Sequence, residues 1–386
     1  MKKLTLFSII LLIAAIPLGA AGANIVSVVA ILALVFGSST HRRRMSRNLY
    51  TPMALMFTYL AWMLFAAMMN AEHQLQGLIA YAMGYLPLAL LPSLIAFRTE
   101  EDFSENDESQ VFNALTAVVL LMGVCSLTQA IWGWERHGYH FVAGDTRARA
   151  LFSHPLTLAY VAALIWPFAL VRVFKHAGDW RSWAVFVSEI VIIWTSRSRV
   201  VQLLALVFLC FNIWKYASRR WRLVFFGAVI VGLGVVAVTE NPVSRNFNKT
   251  FSGTSDRHTS AYADDRLAFW DAHWHLFRER PLMGHGAHLP DTARLRGYTA
   301  IGLPEFPKQY GAHNSYLQIA VEGGLVGLLL FLCWYGWFLR AALRKPAFLQ
   351  ALLIFALAIF TQNAFQDNEV RFSLTLVLAG LLVFRK

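Results

Sequence analysis

The sequence predicts an all-α polytopic membrane protein, and three observations carry that expectation. Apolar residues make up 57% of the 386 positions and charged ones only 15%, with a mean hydropathy of +0.50. A water-soluble chain could not cover so much apolar surface. The apolar residues run continuously rather than alternating, which argues against barrel strands and leaves helices, whose backbone groups are satisfied within each segment. Basic residues gather in every second loop, as they do in chains that cross a bilayer repeatedly.

About twelve spans are expected from runs near bilayer length, at 4–22, 24–38, 52–69, 77–97, 111–132, 155–174, 183–196, 199–214, 223–239, 315–339, 347–362 and 372–384. Several fall short of the roughly 20 residues a straight helix needs, which implies tilt or extension into flanking loops. At the start, Lys2, Lys3, an apolar run and Ala21-Gly22-Ala23 also fit a secretory signal with its small-residue cleavage site. The reading adopted is a retained first span that hairpins into the second. Cys125, Cys210 and Cys333 all fall inside apolar runs, far apart, so neither a disulfide framework nor a metal site is expected from them.

With the N-terminus in the cytoplasm and the sides alternating, the inner loops hold 19 of the 34 basic residues. The short outer loops hold only Arg136, Arg147, Arg149, Arg197, Arg199 and Arg371, and the other nine basic residues lie in 240–313. That loop is long enough to escape the positive-inside tendency. Both termini are thus expected inside and the large loop outside. The division that follows is 1–239 as an N-terminal bundle of about nine spans, 240–313 as the loop, and 314–386 as C-terminal helices. The net charge of +12 then reflects topology anchors such as His41-Arg42-Arg43-Arg44 beside anionic lipid. No nucleic-acid motif accompanies them. The acidic run from Glu100 to Glu108 reads as a solvated inner loop.

Outer-loop arginines oppose the charge bias, and arginine suits bidentate contact with phosphate oxygens. Together they suggest a pyrophosphate site on the outer face, although each taken singly also fits snorkelling to headgroups. In Thr195-Ser196-Arg197-Ser198-Arg199, Arg199 falls at the start of an inward-running helix. Ser196 or Ser198 could cap the exposed N–H groups there, and an added arginine makes an anion pocket. Arg199 ranks above Arg197.

Leu267, Trp270, Trp274 and Phe277 recur at helical spacing, which predicts an amphipathic helix on the membrane surface, capped by Asp264 or Asp265. Arg266, Trp270 and His273 share one of its faces. Histidines at 137, 140, 154, 258, 273, 275, 285 and 288 are expected to be mostly interfacial or solvent-facing. The pair His285 and His288 lacks the carboxylates or cysteines a metal site needs, so no metal and no cofactor is expected. His313 differs because it stands where loop meets span. A neutral imidazole there could take a proton from a sugar hydroxyl, and a structural histidine remains equally open.

His313-Asn314, nine residues, Gly324, two residues and Gly327 resemble the signature of the Wzy_C superfamily. That superfamily comprises O-antigen ligases, O-antigen polymerases and bacterial protein O-oligosaccharyltransferases. Arg199-x3-Leu203 resembles its arginine motif, Arg266-x3-Trp270 its R-x-x-x-W element, and Pro281-Leu282-Met283-Gly284-His285-Gly286 its P-L-x-G-x-G turn. Gln366-Asp367-Asn368-Glu369-Val370-Arg371 is similar to a position where an acidic residue supports the site. The motifs cover 195–330, with Arg197 doubling the arginine assignment.

The resemblance implies a GT-C-like helical fold, independent of metal, with an undecaprenyl-diphosphate-linked glycan as donor. It implies that Arg199 and Arg266 bind the diphosphate and that His313 activates the acceptor hydroxyl, with inversion at the sugar carbon. Asp367 would orient or support that histidine. The compact length favours an O-antigen ligase acting on lipid A–core at the periplasmic face of a Gram-negative inner membrane. The alternative is an O-antigen polymerase. A protein O-oligosaccharyltransferase is less expected, since the chain stops at Arg385-Lys386 without the usual added domain. A lipid-linked glycan transporter would need ionisable residues within the spans, which are nearly free of charge, Glu189 being the main exception.

Overall fold

The structure, a computed structural model, describes residues 2–36, 47–70, 75–98, 104–133, 147–238, 265–304 and 310–384. The His41–Arg44 cluster, the start of the acidic run, Arg136, His137, His140, residues 240–264 with His258 and Asp264, and Arg385-Lys386 lie outside the described residues.

Among the described residues every regular element is helical. The α-helices are α1 Lys2–Ala15, α2 Gly19–Phe36, α3 Arg47–Met68, α4 Leu75–Arg98, α5 Glu105–Trp132, α6 Pro155–Lys175, α7 Trp180–Ser196 and α8 Arg199–Tyr216. They continue with α9 Arg219–Val238, α10 Asp265–Glu279, α11 Asp291–Ala300, α12 Ser315–Ala342, α13 Pro346–Ala358 and α14 Asn368–Val383. Seven helical stretches among the described residues are long and apolar enough to cross a bilayer, so the chain is a polytopic membrane protein. The first two expected spans fall in one apolar stretch of 34 residues, Lys3–Phe36, broken by a 3-10 turn at Ile16–Leu18 and by Gly19. The expected spans at 183–196, 347–362 and 372–384 form helices of 17, 13 and 16 residues.

Helix α6 is the hub. Sixteen of its 21 residues are buried, and it packs on α7, α8, α13 and α14. Pro155 starts it, where a missing N–H costs nothing, and the His154 side chain accepts from Leu156 N–H at 3.1 Å. Arg172 and Lys175 close its last turn, where cations suit the helix dipole. That end is tied to α7 by Asp179, which caps α7 and pairs with Arg181 at 2.9 Å and Arg172 at 3.2 Å. Those partners, Arg181 first, hold the Asp179 carboxyl down at about 2.

The opposite end of α6 gathers the residues that matter for chemistry. Gln129, near the end of α5, receives the N–H groups of Arg149 and Ala150. Ala148 N–H reaches Thr195 C=O near the end of α7 (3.0 Å). Ser153 donates to Glu369 and Thr157 to Asp367, both at the start of α14. Ala20, beside the break between α1 and α2, also donates to Glu369, at 3.1 Å. Five helix ends thus meet on one side of the bundle.

Helix α12 is bent at Gly324, whose φ of 63° is not helical. The turn 281–286 fills the break. His285 N–H donates to Val321 C=O (2.8 Å), Gly286 N–H to Glu322 C=O (2.7 Å), and Leu325 N–H to Pro281 C=O (2.7 Å). The Trp62 indole caps Gly323 C=O at 2.7 Å. Backbone groups freed by the bend are therefore satisfied by protein, as an apolar surrounding demands. The P-L-x-G-x-G-like turn and the two glycines of α12 form one structural unit. Gly327 packs near Met63 and Trp62 of α3, the close helix approach expected of it.

Glu189 lies fully buried near the middle of α7, and among the described residues neither carboxylate oxygen has a hydrogen-bond partner.

Candidate active site

His313 precedes α12 in an unusual backbone conformation. Its φ is 48°, in the left-handed region that non-glycine residues seldom adopt and that recurs at functional positions. The next residue explains how the chain recovers. Asn314 caps α12 by accepting from Tyr316 N–H (3.0 Å) and Leu317 N–H (3.2 Å).

The imidazole is held on two sides. Its Nδ1 lies 2.5 Å from Gln362 Oε1, and its face stacks on Phe269 of α10, with centroids 4.8 Å apart at 24°. Tyr310 stands at 5.9 Å. A cavity of about 260 Å³ opens beside the ring, lined by Leu156, Asp265, Arg266, Phe269, Tyr310, His313 and Gln362. Arg266, from the first turn of α10, therefore shares a cavity with His313. Burial pushes the His313 pKa below the usual imidazole value; the Gln362 contact partly offsets this, and Arg266 reinforces it. The ring is thus neutral at pH 7.

The remaining outer arginines divide. Arg197 caps α7 in the left-handed region (φ 52°) and is exposed, as is Arg199 at the start of α8. Neither lines the cavity. Ser198 makes no side-chain cap on α8, and the Ser196 hydroxyl turns back to Ile193 C=O, so neither expected serine cap forms. Leu203 is exposed on α8. Arg149 and Arg371 are buried, at 7% and 5% exposure. Arg371 lies 3.8 Å over the Tyr85 ring and donates to Phe365 C=O and Asn368. It serves packing at the start of α14 rather than an open phosphate site.

Asp367 does not hydrogen-bond His313. Its Oδ1 caps α14 by accepting from Glu369 N–H (2.9 Å) and Val370 N–H (3.3 Å), and its Oδ2 accepts from Thr157 at 2.5 Å. The contact expected of it falls to Gln362. No spacing or charge signal in the sequence marks that glutamine.

Helix α10 forms over the predicted stretch. Ala268, Phe269, Ala272, His273 and Leu276 are buried, while Leu267 and Trp274 stay 45% and 49% exposed. Two of the histidines expected at the surface are fully buried. His273 donates from Nδ1 to Phe269 C=O (2.8 Å), and burial depresses its pKa to about 4. The His285 Nε2 lies 2.9 Å from Leu276 C=O. Among the described residues no group of three His, Cys, Asp or Glu side chains could hold a metal ion.

The model of the Wzy_C family, described as O-Antigen ligase, matches residues 184–332. Residues 184–332 are thus similar to the Wzy_C family. The match runs from within α7 to within α12, so it takes in Arg197, Arg199, Arg266, His313, Gly324 and Gly327. No curated protein matches the chain. The Wzy_C domain is that of O-antigen ligase- and polymerase-type glycosyltransferases, which use lipid-linked glycans in a membrane. Leu156 and Gln362 lie outside the matched range and join the cavity only through folding.

Proposed function

We propose that the protein is an O-antigen ligase. It transfers a polysaccharide from undecaprenyl diphosphate to a sugar hydroxyl of lipid A–core on the periplasmic side of a Gram-negative inner membrane. The observation that carries this reading is the cavity shared by Arg266 and His313. A guanidinium beside a neutral imidazole suits a reaction in which a hydroxyl attacks while a diphosphate leaves.

In that reaction the acceptor oxygen attacks the anomeric carbon and the carbon–oxygen bond to the diphosphate breaks. His313 takes the hydroxyl proton, and undecaprenyl diphosphate departs with the bonding electrons. Arg266 offsets the charge growing on the leaving oxygen. A single in-line displacement inverts the sugar carbon. Arg199, with Arg197 two positions before it, contacts the donor's distal phosphate from outside the cavity lining, and Asp367 steadies the cavity wall through Thr157 and the start of α14. The proposed topology is about twelve spans in a GT-C-like arrangement with both termini cytoplasmic. A bundle at 1–239, a periplasmic loop at 240–313 and helices at 314–386 make up the chain. The exposed Leu267 and Trp274 set α10 against the outer leaflet.

Arg266→Ala should lower kcat/KM for the donor by about 10²-fold, and Arg266→Lys should recover only part of it. Arg199→Ala should raise the donor KM by roughly tenfold with little change in kcat, because Arg199 lies outside the cavity. Steady-state kinetics on the purified protein with extracted lipid-linked donor measure both, and full activity of the two alanine variants would sink the diphosphate assignment.

A deletion strain tests the ligase reading. Core lipid without glycan, together with accumulated long lipid-linked chains, is the expected phenotype. Core bearing a single repeat would make the protein a polymerase instead, and unchanged surface polysaccharide would discard both.

A further inference from the structure

Resting on the reading of His313 as the base, we infer that Gln362 is a positioning residue that selects the His313 tautomer, keeping the proton on Nδ1 and leaving Nε2 as the nitrogen that meets the acceptor hydroxyl. The structure turns the amide oxygen of Gln362 toward Nδ1 at 2.5 Å. A carbonyl oxygen only accepts, so Nδ1 must donate. The lone pair of a neutral ring then sits on Nε2, and only that nitrogen can act as base.

The glutamine is itself fixed. Its backbone carbonyl accepts from the Ser315 hydroxyl at 3.0 Å. The neighbouring Asn363 side chain accepts from Asn314 N–H at 2.9 Å, and Ile359 C=O accepts from Ser315 N–H at 2.8 Å. Segments 359–366 and 311–318 are therefore zipped together on either side of the ring. Phe269 holds the remaining freedom by stacking on its face.

The neutrality of the partner matters as much as its position. The charged or titratable groups around the ring are Arg266 and Asp265 on the cavity wall, Tyr310 beside it and His273 within reach behind Phe269. A carboxylate in place of Gln362 would orient the ring equally well. It would also raise the affinity of the imidazole for protons and set a negative charge in the cavity meant for a diphosphate. An amide gives the orientation without either effect.

The test uses full-length protein labelled with 15N-histidine in lipid nanodiscs, and long-range 1H–15N correlations of the imidazole. The His313→Gln spectrum identifies the His313 signals by their loss. The wild type should show the Nδ1–H form at pH 7.5. Gln362→Ala should shift the ring toward the Nε2–H form and lower kcat by about 10- to 100-fold, with the donor KM within about twofold, since the wrong tautomer removes the base but not the binding. Gln362→Glu should retain the Nδ1–H form and move the acid limb of the pH–rate profile upward by about one pH unit. Transfer is assayed with lipid-linked glycan and core lipid extracted from the deletion strain. An Nε2–H ring in the wild type, or an unchanged tautomer and kcat in Gln362→Ala, would overturn the inference. The tautomer is read without substrate, so a Gln362-dependent Nδ1–H form in a protein that transfers no glycan refutes the ligase reading and leaves the hydrogen bond standing.

Discussion

Replacing His313 with alanine should leave the protein inserted and folded while transfer falls by about 10²- to 10⁴-fold, the range typical of losing a general base. The fold should survive because the ring is only partly buried and its packing partners, Phe269 and Tyr310, also touch each other, with centroids 5.3 Å apart. Alanine at φ 48° keeps the same backbone strain, so the comparison isolates the ring. Membrane-fraction blots report insertion, and glycan transfer in vitro reports the chemistry. The pH profile gives a second reading. The pKa of His313 is depressed, mainly by burial, so the basic form persists below the usual imidazole value near 6.5. Activity should stay level as pH falls from 7.5 toward that value and decline only beneath it. Normal surface polysaccharide in the alanine variant would remove His313 from the chemistry.

The second large effect is structural. Gly324→Ala should destabilise the protein by about 3 kcal/mol or more, since a residue with positive φ and a backbone clash combines two costly mechanisms. A Cβ at Gly324 would lie 2.1 Å from Leu282 O and 2.6 Å from Met283 N. Both are backbone atoms of the turn that satisfies the broken helix, so neither can swing aside. Moving them would free Val321 C=O, Glu322 C=O and Leu325 N–H in an apolar surrounding. Gly327→Ala is the control. Its Cβ would meet the Met63 sulfur at 3.3 Å, the flexible part of a side chain, so the cost should be below about 1 kcal/mol. Thermal unfolding in detergent, followed by intrinsic tryptophan fluorescence, compares the two. Equal melting temperatures for both variants would contradict the account of the bend. The Gly324 variant should also lose transfer, because Gln318 in the bent half of α12 anchors Ala312 N–H beside His313 at 3.0 Å.

Much of this architecture is written in local pattern. Continuous apolar runs specify helices because a buried backbone must pair within its own segment. Asn314 and Asp367 cap the helices they precede, a matter of two or three residues. Arg266 and His313 were legible as candidates because each is a rare residue type for its setting, a cation or an imidazole at an outer loop. Their motifs extend over short stretches, and short stretches are what a sequence displays.

Only the tertiary structure decided which of these side chains meet. Arg199, Arg371 and Arg149 looked alike as outward arginines, yet the fold leaves the first exposed and buries the other two. The apolar stripe of α10 suggested a membrane face along Leu267 and Trp274, and both stay exposed, but only the fold shows that the face packed on the body runs through Phe269 and Leu276. Gln362 carries no motif at all; it reaches His313 from 49 positions away because two loops are clasped by hydrogen bonds from Asn314 and Ser315 to Ile359, Gln362 and Asn363. Helical periodicity and capping act over one turn and can be read in order along the chain. The partner of an imidazole is set by how distant segments pack, and that depends on the whole folded shape.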